Sequence, residues 1–447
     1  MSAAGGGFHA KFIWTAGTFL LSAGLKFGLN IVLSWLLAPE ILGVMVVVSA
    51  IRLGIELLTD VGIEQNMIHH ADGLDRTFRD TAWTLQLLRG FGLTALFMAA
   101  APLLAHAYGI DVRIFLLAAL SPMIGGAHST AIFVLVRHLE VRRRNLFELA
   151  CEALAFIVQV ALAFWLRSVW APAIGLVAAV AIRTALSYML PDARQHFHLD
   201  RAIATRIFHF GKWIALTSLV MYAATNIDRL YLGKAVPLAL LGIYGIARAI
   251  AELPTTLARR MSYQIIFPAL SGSTAGDRAQ RMAGMGKSRL FFVLLVCSGL
   301  AVGSAGADLI VGFIYDPRYA AGGWMLSILL MGAVFAVLSN LNEALLLSAG
   351  KPLYSSIANL LRFATMAVAL PLGLAQGGFA GAIIAIACTE CLQYLYIAIG
   401  LHRVKMHFWA QDLAALGISI MLFLALLAAR MMLGLGGPLA GMEALRA

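Results

Sequence analysis

The sequence predicts an all-α polytopic membrane protein: two parallel six-helix lobes around a central cleft, with about 12–13 transmembrane helices. Three observations predict it. The chain of 447 residues is 61% hydrophobic and 12% charged, with mean hydropathy +0.87. Apolar runs of about 20 residues, enough to cross a hydrocarbon core of about 30 Å, recur from end to end. The chain also repeats itself. Laid over itself so that Trp213 falls on Trp14, it brings Thr217 onto Thr18, Leu232 onto Leu33, Gly242 onto Gly43 and Ala249 onto Ala50, with no gap. The runs are about twice as long as barrel strands and do not alternate, which excludes a membrane β-barrel.

The runs follow in order. The first spans 12–37 and carries Lys26 near its middle; it is too long for a signal-peptide core and is expected to be retained. Pro39 marks a turn, and the second spans 41–63 with Arg52 and Glu56. A polar loop is expected over 64–80. Further runs cover 81–104, 112–136, 146–166 and 170–190, and 191–212 reads as the link between lobes. The second half gives 213–233, 238–268, 290–313, 324–349, 353–374 and 378–400, then a thirteenth run at 413–433. The domains read as 1–195, 196–405 and an extra helix with a short tail over 406–447.

The net charge of +11 follows topology. Arg76 and Arg79, the cluster Arg142–Arg144, Arg194 to Lys212, Arg259 to Arg289, and Arg403 with Lys405 fall in loops on one side. Lys11 joins them, and the opposite loops hold Arg113, Arg167, Lys234 and Arg318. By the positive-inside rule the N-terminus is cytoplasmic and both lobes start inside. Six helices return the chain to the same face, so the repeats are parallel. Nucleic acid is not needed to explain the charge. No Walker A pattern, dinucleotide-binding fingerprint or long outer loop is present, and Cys388 and Cys391 merely place two thiols on one helix face. No cofactor, metal or catalytic residue is expected.

Ionisable groups near the bilayer midplane cost about 2.5–3.5 kcal/mol each, so they face a cavity or a partner. Arg52 and Arg248 both lie about 15–16 Å deep at 1.5 Å per residue. Glu56 and Glu252 follow each by four residues. Two readings stand. Each pair is a local salt bridge, or the arginines bind an anion in a water-filled cleft, where a planar guanidinium suits phosphate. Lys26 and Arg362 add positive charge at depth. Arg89, Arg183 and Arg430 lie close enough to helix ends to snorkel and are discounted. Asp228 and Arg229 are adjacent and read as pointing to different faces near a gate, with Asn226 beside them. Glu343, one turn from Asn340, and Glu390 are candidate coupling or charge-balance acids, together with Glu56, Asp228 and Glu252. Pro254 is expected to kink its helix as a hinge.

The stretches N-I-D-R-L-Y-L-G (226–233), A-L-L-G-I-Y-G-I-A (239–247), E-L-P (252–254) and F-P-A-L-S (267–271) resemble the polysaccharide transporter family. So do L-L-A-P-E-I-L-G (36–43) and L-L-S-A-G-K (346–351). That family holds the O-antigen and exopolysaccharide flippases of the multidrug/oligosaccharidyl-lipid/polysaccharide exporter superfamily. The resemblance covers about 10–400 and rests on order and spacing, since each motif is short. It implies two six-helix lobes facing a cationic cavity. It also implies a polyprenyl-diphosphate-linked oligosaccharide as cargo, moved from the cytoplasmic to the outer leaflet of the bacterial inner membrane, with membrane lipids and other polysaccharide assembly proteins as partners. Members often have twelve or fourteen spans, so a thirteenth departs from the pattern at the C-terminal end. Alternatives are a multidrug/cation antiporter of the same superfamily, which would want a more acidic cavity; a membrane-embedded polysaccharide ligase or polymerase, which would want a large outer loop or soluble domain; and a non-transporting scaffold.

Overall fold

The computed structural model describes the backbone of residues 4–442 except 61, 139, 272–274 and 440. The side chains of 4–16 and of much of 272–283 lie outside the description, and with them Lys11, Trp14, Arg278 and Arg281.

All thirteen apolar runs fall on helices. α1 is Ala4–Leu36, α2 Pro39–Leu58, α3 Ile63–His69 and α4 Arg76–Tyr108. α5 (Val112–Ala118), α6 (Ser121–Gly126) and α7 (Ala131–Arg137) make an apolar segment bent by 58° between 126 and 131. α8 (Val141–Leu166), α9 (Trp170–Ser187), α10 (Arg201–Ala235) and α11 (Leu238–Met261) follow. A π-helical turn at Ser262–Ile266 leads through α12 (Phe267–Leu270) to α13 (Ala275–Ala305) and α14 (Ala307–Ile314). α15 is Gly322–Ser348, α16 Pro352–Val404 and α17 Trp409–Met432. Among the described residues ten helices are long and apolar enough to span, or eleven if the bent segment is one span. The 53-residue α16 is two helices joined where Gly378 takes φ 60°, a left-handed conformation open to glycine at little cost.

Local chemistry sets these boundaries. Pro39 opens α2, where a missing N–H costs nothing. Gly109, at φ 64°, closes α4. The Asp200 carboxylate accepts from Ala202 N and Ile203 N at 2.8 and 3.0 Å and caps α10.

The polar stretch 64–80 is not a loop throughout. It contains α3 and the first turn of α4, because Ile63 and Met67 find an apolar partner in Phe78, Ala82, Leu85 and Ile207. The link is likewise shorter than expected: only 188–200 is non-helical. With 33 and 35 residues, α4 and α10 are each about 50 Å long, well beyond the hydrocarbon thickness. The run at 290–313 breaks at Gly306. α11 continues through Pro254, and its departure from α-geometry comes later, at the π-turn.

The chain divides into two compact units. Unit 1 holds 1–222 with 232–242, and unit 2 holds 223–231 with 243–447. In unit 1 the start of α11 crosses α2 at a backbone approach only glycine permits. A Cβ at Gly43 would meet the Leu238 carbonyl oxygen at 1.9 Å, and one at Gly242 would meet that of Pro39 at 2.0 Å. In unit 2, α15 is the central helix, packed by α13, α14 and α16. α17 lies on α13. Its attachment is polar and buried. Arg289 donates to Asp412 at 2.6 Å, to Asn342 at 2.8 Å and to Gln411 at 3.0 Å, while Asn342 also donates to Asp412 at 2.8 Å. Arg289, which the sequence places among loop cations, is therefore a core residue.

Candidate functional site

Unit 2 gathers most of the singled-out charges into one cluster on α10 and α11. Arg248 Nε donates to Glu252 at 3.0 Å and lies 3.7 Å from the Asp228 carboxylate. Arg229 donates to Glu252 at 2.9 Å and to the Asn226 side-chain oxygen at 3.2 Å. The Tyr244 hydroxyl donates a short hydrogen bond to Asp228. Asp228 and Arg229, expected on separate faces near a gate, thus both join this cluster, Asp228 through Arg248 and Arg229 through Glu252. Arg362 donates to Glu390, and Glu390 lies within electrostatic reach of Arg248.

Three guanidinium groups here face three carboxylates, so the cluster is neutral as it stands. Its accessibility is graded. The side chains of Asp228 and Arg248 are 1% and 10% exposed, those of Arg229 and Glu252 27% and 40%. The rim is therefore Arg229 with Glu252, and Arg248 lies behind it.

Unit 1 holds a cavity of about 470 Å³ lined by residues of α2, α4, α8 and α9 and the bent segment. Arg52 donates to Glu56 at 2.5 Å, as the i, i+4 spacing allows. Arg89 donates to Thr59 Oγ1 at 2.9 Å and to the Glu56 carbonyl. Arg183 makes a bidentate pair with Glu148 at 2.6 and 2.8 Å. His128 also lines the cavity; it is 8% exposed and its buried Nε2 has no hydrogen-bond partner among the described residues. Lys26 is elsewhere in unit 1, exposed and paired with Glu152 on α8 at 2.8 Å. In unit 2, Glu343 sits half-buried on α15, and Asn340 Nδ2 donates to the Ala336 carbonyl at 2.8 Å.

Sequence reasoning discounted Arg89, Arg183 and Arg430 as snorkelling side chains. The structure gives each a fixed partner, and Arg430 donates to both Asp308 oxygens, at 2.8 and 2.7 Å. The signal for these pairs is absent from any local window, since Glu148 and Asp308 lie on different helices from their arginines.

Solved structures share the fold. A lipid II flippase MurJ, in an inward closed conformation, matches with TM-score 0.72 at 13% identity over 92% of each chain. An inward-facing multidrug resistance MATE family transporter of the MOP superfamily matches with TM-score 0.63 at 14% identity, over 87% of this chain and 96% of the other. A MOP superfamily transporter from Pyrococcus furiosus, described as having a binding pocket of reverse polarity, matches with TM-score 0.53 at 14% identity over 88% and 95%. In sequence the chain is 22% identical over 304 residues, 66% of its length, to the teichuronic acid biosynthesis protein TuaB of Bacillus subtilis strain 168. The matched segment spans 62% of that relative. The family model described as polysaccharide biosynthesis protein matches residues 32–322, well over half of this multi-pass, all-helical chain, which belongs to that family.

Proposed function

We propose that the protein is a flippase. It moves polyprenyl-diphosphate-linked oligosaccharide repeat units from the cytoplasmic to the outer leaflet of the bacterial inner membrane, by alternating access and without chemical change to the cargo. In this reading 1–195 and 196–405 act as two six-helix lobes, 406–447 adds a helix, and the N-terminus is cytoplasmic. The observation that carries it is the arginine–carboxylate cluster of Arg229, Arg248 and Glu252 in a chain of the polysaccharide biosynthesis family.

A diphosphate carries about two negative charges and is very costly to move through hydrocarbon unpaired. Arg229 and Arg248 supply the counter-charge when Glu252 gives way, and Glu252 re-pairs them when the cargo leaves. Arg52 with Glu56 offers the same exchange in unit 1. Transport then needs no step in which a buried arginine stands alone, which would cost far more than the exchange itself.

The test is export of lipid-linked glycan from cells carrying each variant at equal membrane abundance. Arg248→Ala loses export while the protein still inserts. Arg248→Lys recovers part of it, because the fork is lost. Glu252→Gln binds polyprenyl diphosphate more tightly and releases it more slowly. Wild-type export from the Arg52→Ala/Arg248→Ala double variant rejects the proposal. A second reading, a multidrug/cation antiporter, draws on the buried acids Asp228 and Glu390. Efflux of a cationic dye that depends on those two acids, with glycan export intact in their Asn and Gln variants, would favour it.

A further inference from the structure

The end of unit 1 where α4 and α10 begin carries another concave site, away from the deep charges. α9 ends at Ser187, and the segment 188–200 runs back across the start of α4. This strap is tied down by its own backbone. His196 N donates to Asp80 Oδ1 at 3.0 Å, His198 N to Thr84 Oγ1 at 3.0 Å, and Asp200 N to Thr81 Oγ1 at 3.2 Å. Asp80, Thr81 and Thr84 are buried, so the strap is held from beneath. Arg79 donates to the Asp192 carbonyl at 2.5 Å, and Asp192 holds a left-handed φ of 56°, uncommon away from glycine. The strap's shape is thus fixed by partners on α4 and does not depend on local preference.

Between the strap and α4 lies a cavity of about 510 Å³. Its charged lining is Arg76, Arg79 and Arg194 against Asp192. Asp80, outside the lining, is 3.9 Å from Arg76 and already accepts from the strap. The lining is therefore net positive, unlike the balanced clusters deeper in the protein. Apolar side chains stand exposed on the same strap: Met189 at 79%, Phe197 at 67% and Leu199 at 47%. These residues are not on a spanning helix. Guanidinium groups beside exposed apolar side chains at the end of a helix bundle match the headgroup layer, where phosphate meets acyl chain. The same end carries Arg137, the last residue of α7, which donates to the carbonyls of Met67, His70 and Ala71. Basic pockets on the cytoplasmic side of helix bundles take anionic lipid headgroups.

We propose that this strap pocket binds the phosphate of a membrane lipid, held by Arg76, Arg79 and Arg194 with the acyl chains along Met189 and Phe197. Two lipids carry that chemistry: a glycerophospholipid, and the polyprenyl diphosphate end of the carrier. The experiment is native mass spectrometry of the full-length protein, titrated separately with phosphatidylglycerol and with polyprenyl diphosphate, phosphatidylcholine serving as reference. Arg194→Gln weakens retention about five-fold, and Arg76→Gln/Arg79→Gln/Arg194→Gln about a hundred-fold, at about 1 kcal/mol per arginine. Parallel loss of both probes assigns the pocket to the shared phosphate, and loss of one assigns it to that lipid. Retention of both by the triple variant, melting as wild type does, overturns the proposal. Should the triple variant fail to fold, Arg194→Glu alone decides, and unchanged retention by it is equally fatal. The readout is binding without transport. A chain that passes here and exports no glycan keeps its lipid site and loses the flippase reading.

Discussion

Arg52 and Arg248 each stand one helical turn before a glutamate, yet their surroundings differ. Arg52 has one carboxylate, that of Glu56, and lines an open cavity with its side chain 21% exposed. Arg248 has two, Asp228 and Glu252, and is 10% exposed behind Arg229. One motif thus serves as a local pair in unit 1 and as the knot tying α10 to α11 in unit 2. The difference comes from Asp228, which α10 brings to Arg248; among the described residues Arg52 pairs with no carboxylate but that of Glu56, and the repeat that lays Asp228 on Leu29 lays Arg248 on Ser49, so the two arginines match in chemistry and not in position. A second acid from a neighbouring helix turns a helix-surface pair into a tertiary contact.

The sharpest test of that contrast is truncation. Arg248→Ala leaves Asp228 buried without its counter-ion and is expected to cost about 3–5 kcal/mol. Arg52→Ala removes a half-exposed i, i+4 pair and is expected to cost about 1 kcal/mol or less. Thermal unfolding in detergent measures both, and equal losses would erase the distinction. Asp412→Asn sharpens it from outside the cluster. It weakens the buried Arg289 network by about 2–3 kcal/mol, with glycan export per folded molecule unchanged; a selective loss of export would extend the functional region to α17.

The two glycines of the α2–α11 crossing test whether any part of the repeat still behaves alike in both copies. Gly43→Ala and Gly242→Ala each drive a methyl into a carbonyl oxygen and are expected to cost about 1–3 kcal/mol. Equal melting shifts fit a shared geometry, and a large difference would break it. The smallest effect is at the surface of unit 1. Arg206, 2.5 Å away, holds the Asp72 carboxyl below the usual range near 3.9. A lowered folded value means the pair's contribution is present above about pH 4 and fades as pH falls through that lower value. Asp72→Asn is expected to lower stability by about 0.2–1 kcal/mol at pH 7 and by less at pH 3.

The apolar helical runs were legible because a bilayer demands about twenty apolar residues in a row, and that demand is local. The Arg52–Glu56 and Arg248–Glu252 pairs were legible for the same reason, since helix spacing alone sets them. Arg183–Glu148, Arg430–Asp308 and Arg289–Asp412 were not. Each joins two helices, and nothing within either helix says which neighbour it packs on. Asp228 shows the limit most clearly. Adjacency to Arg229 implied divergent directions, and α11 supplied carboxylate and guanidinium partners for both. The π-turn at 262–266, beyond Pro254 in the same helical run, shows a different limit, since no residue spacing marked it.

The crossing at Gly43 and Gly242 is reciprocal. The offset that lays Gly242 on Gly43 also lays Leu238 on Pro39, and the contacts are mutual: Gly43 abuts Leu238, and Gly242 abuts Pro39. Contact of i with j matched by contact of j with i is the mark of an isologous interface between identical subunits. Found within one polypeptide, it gives the crossing an internal two-fold character: each helix offers its glycine to a carbonyl at the start of the other. A substitution at either glycine therefore disturbs one of two like contacts and leaves the other in place.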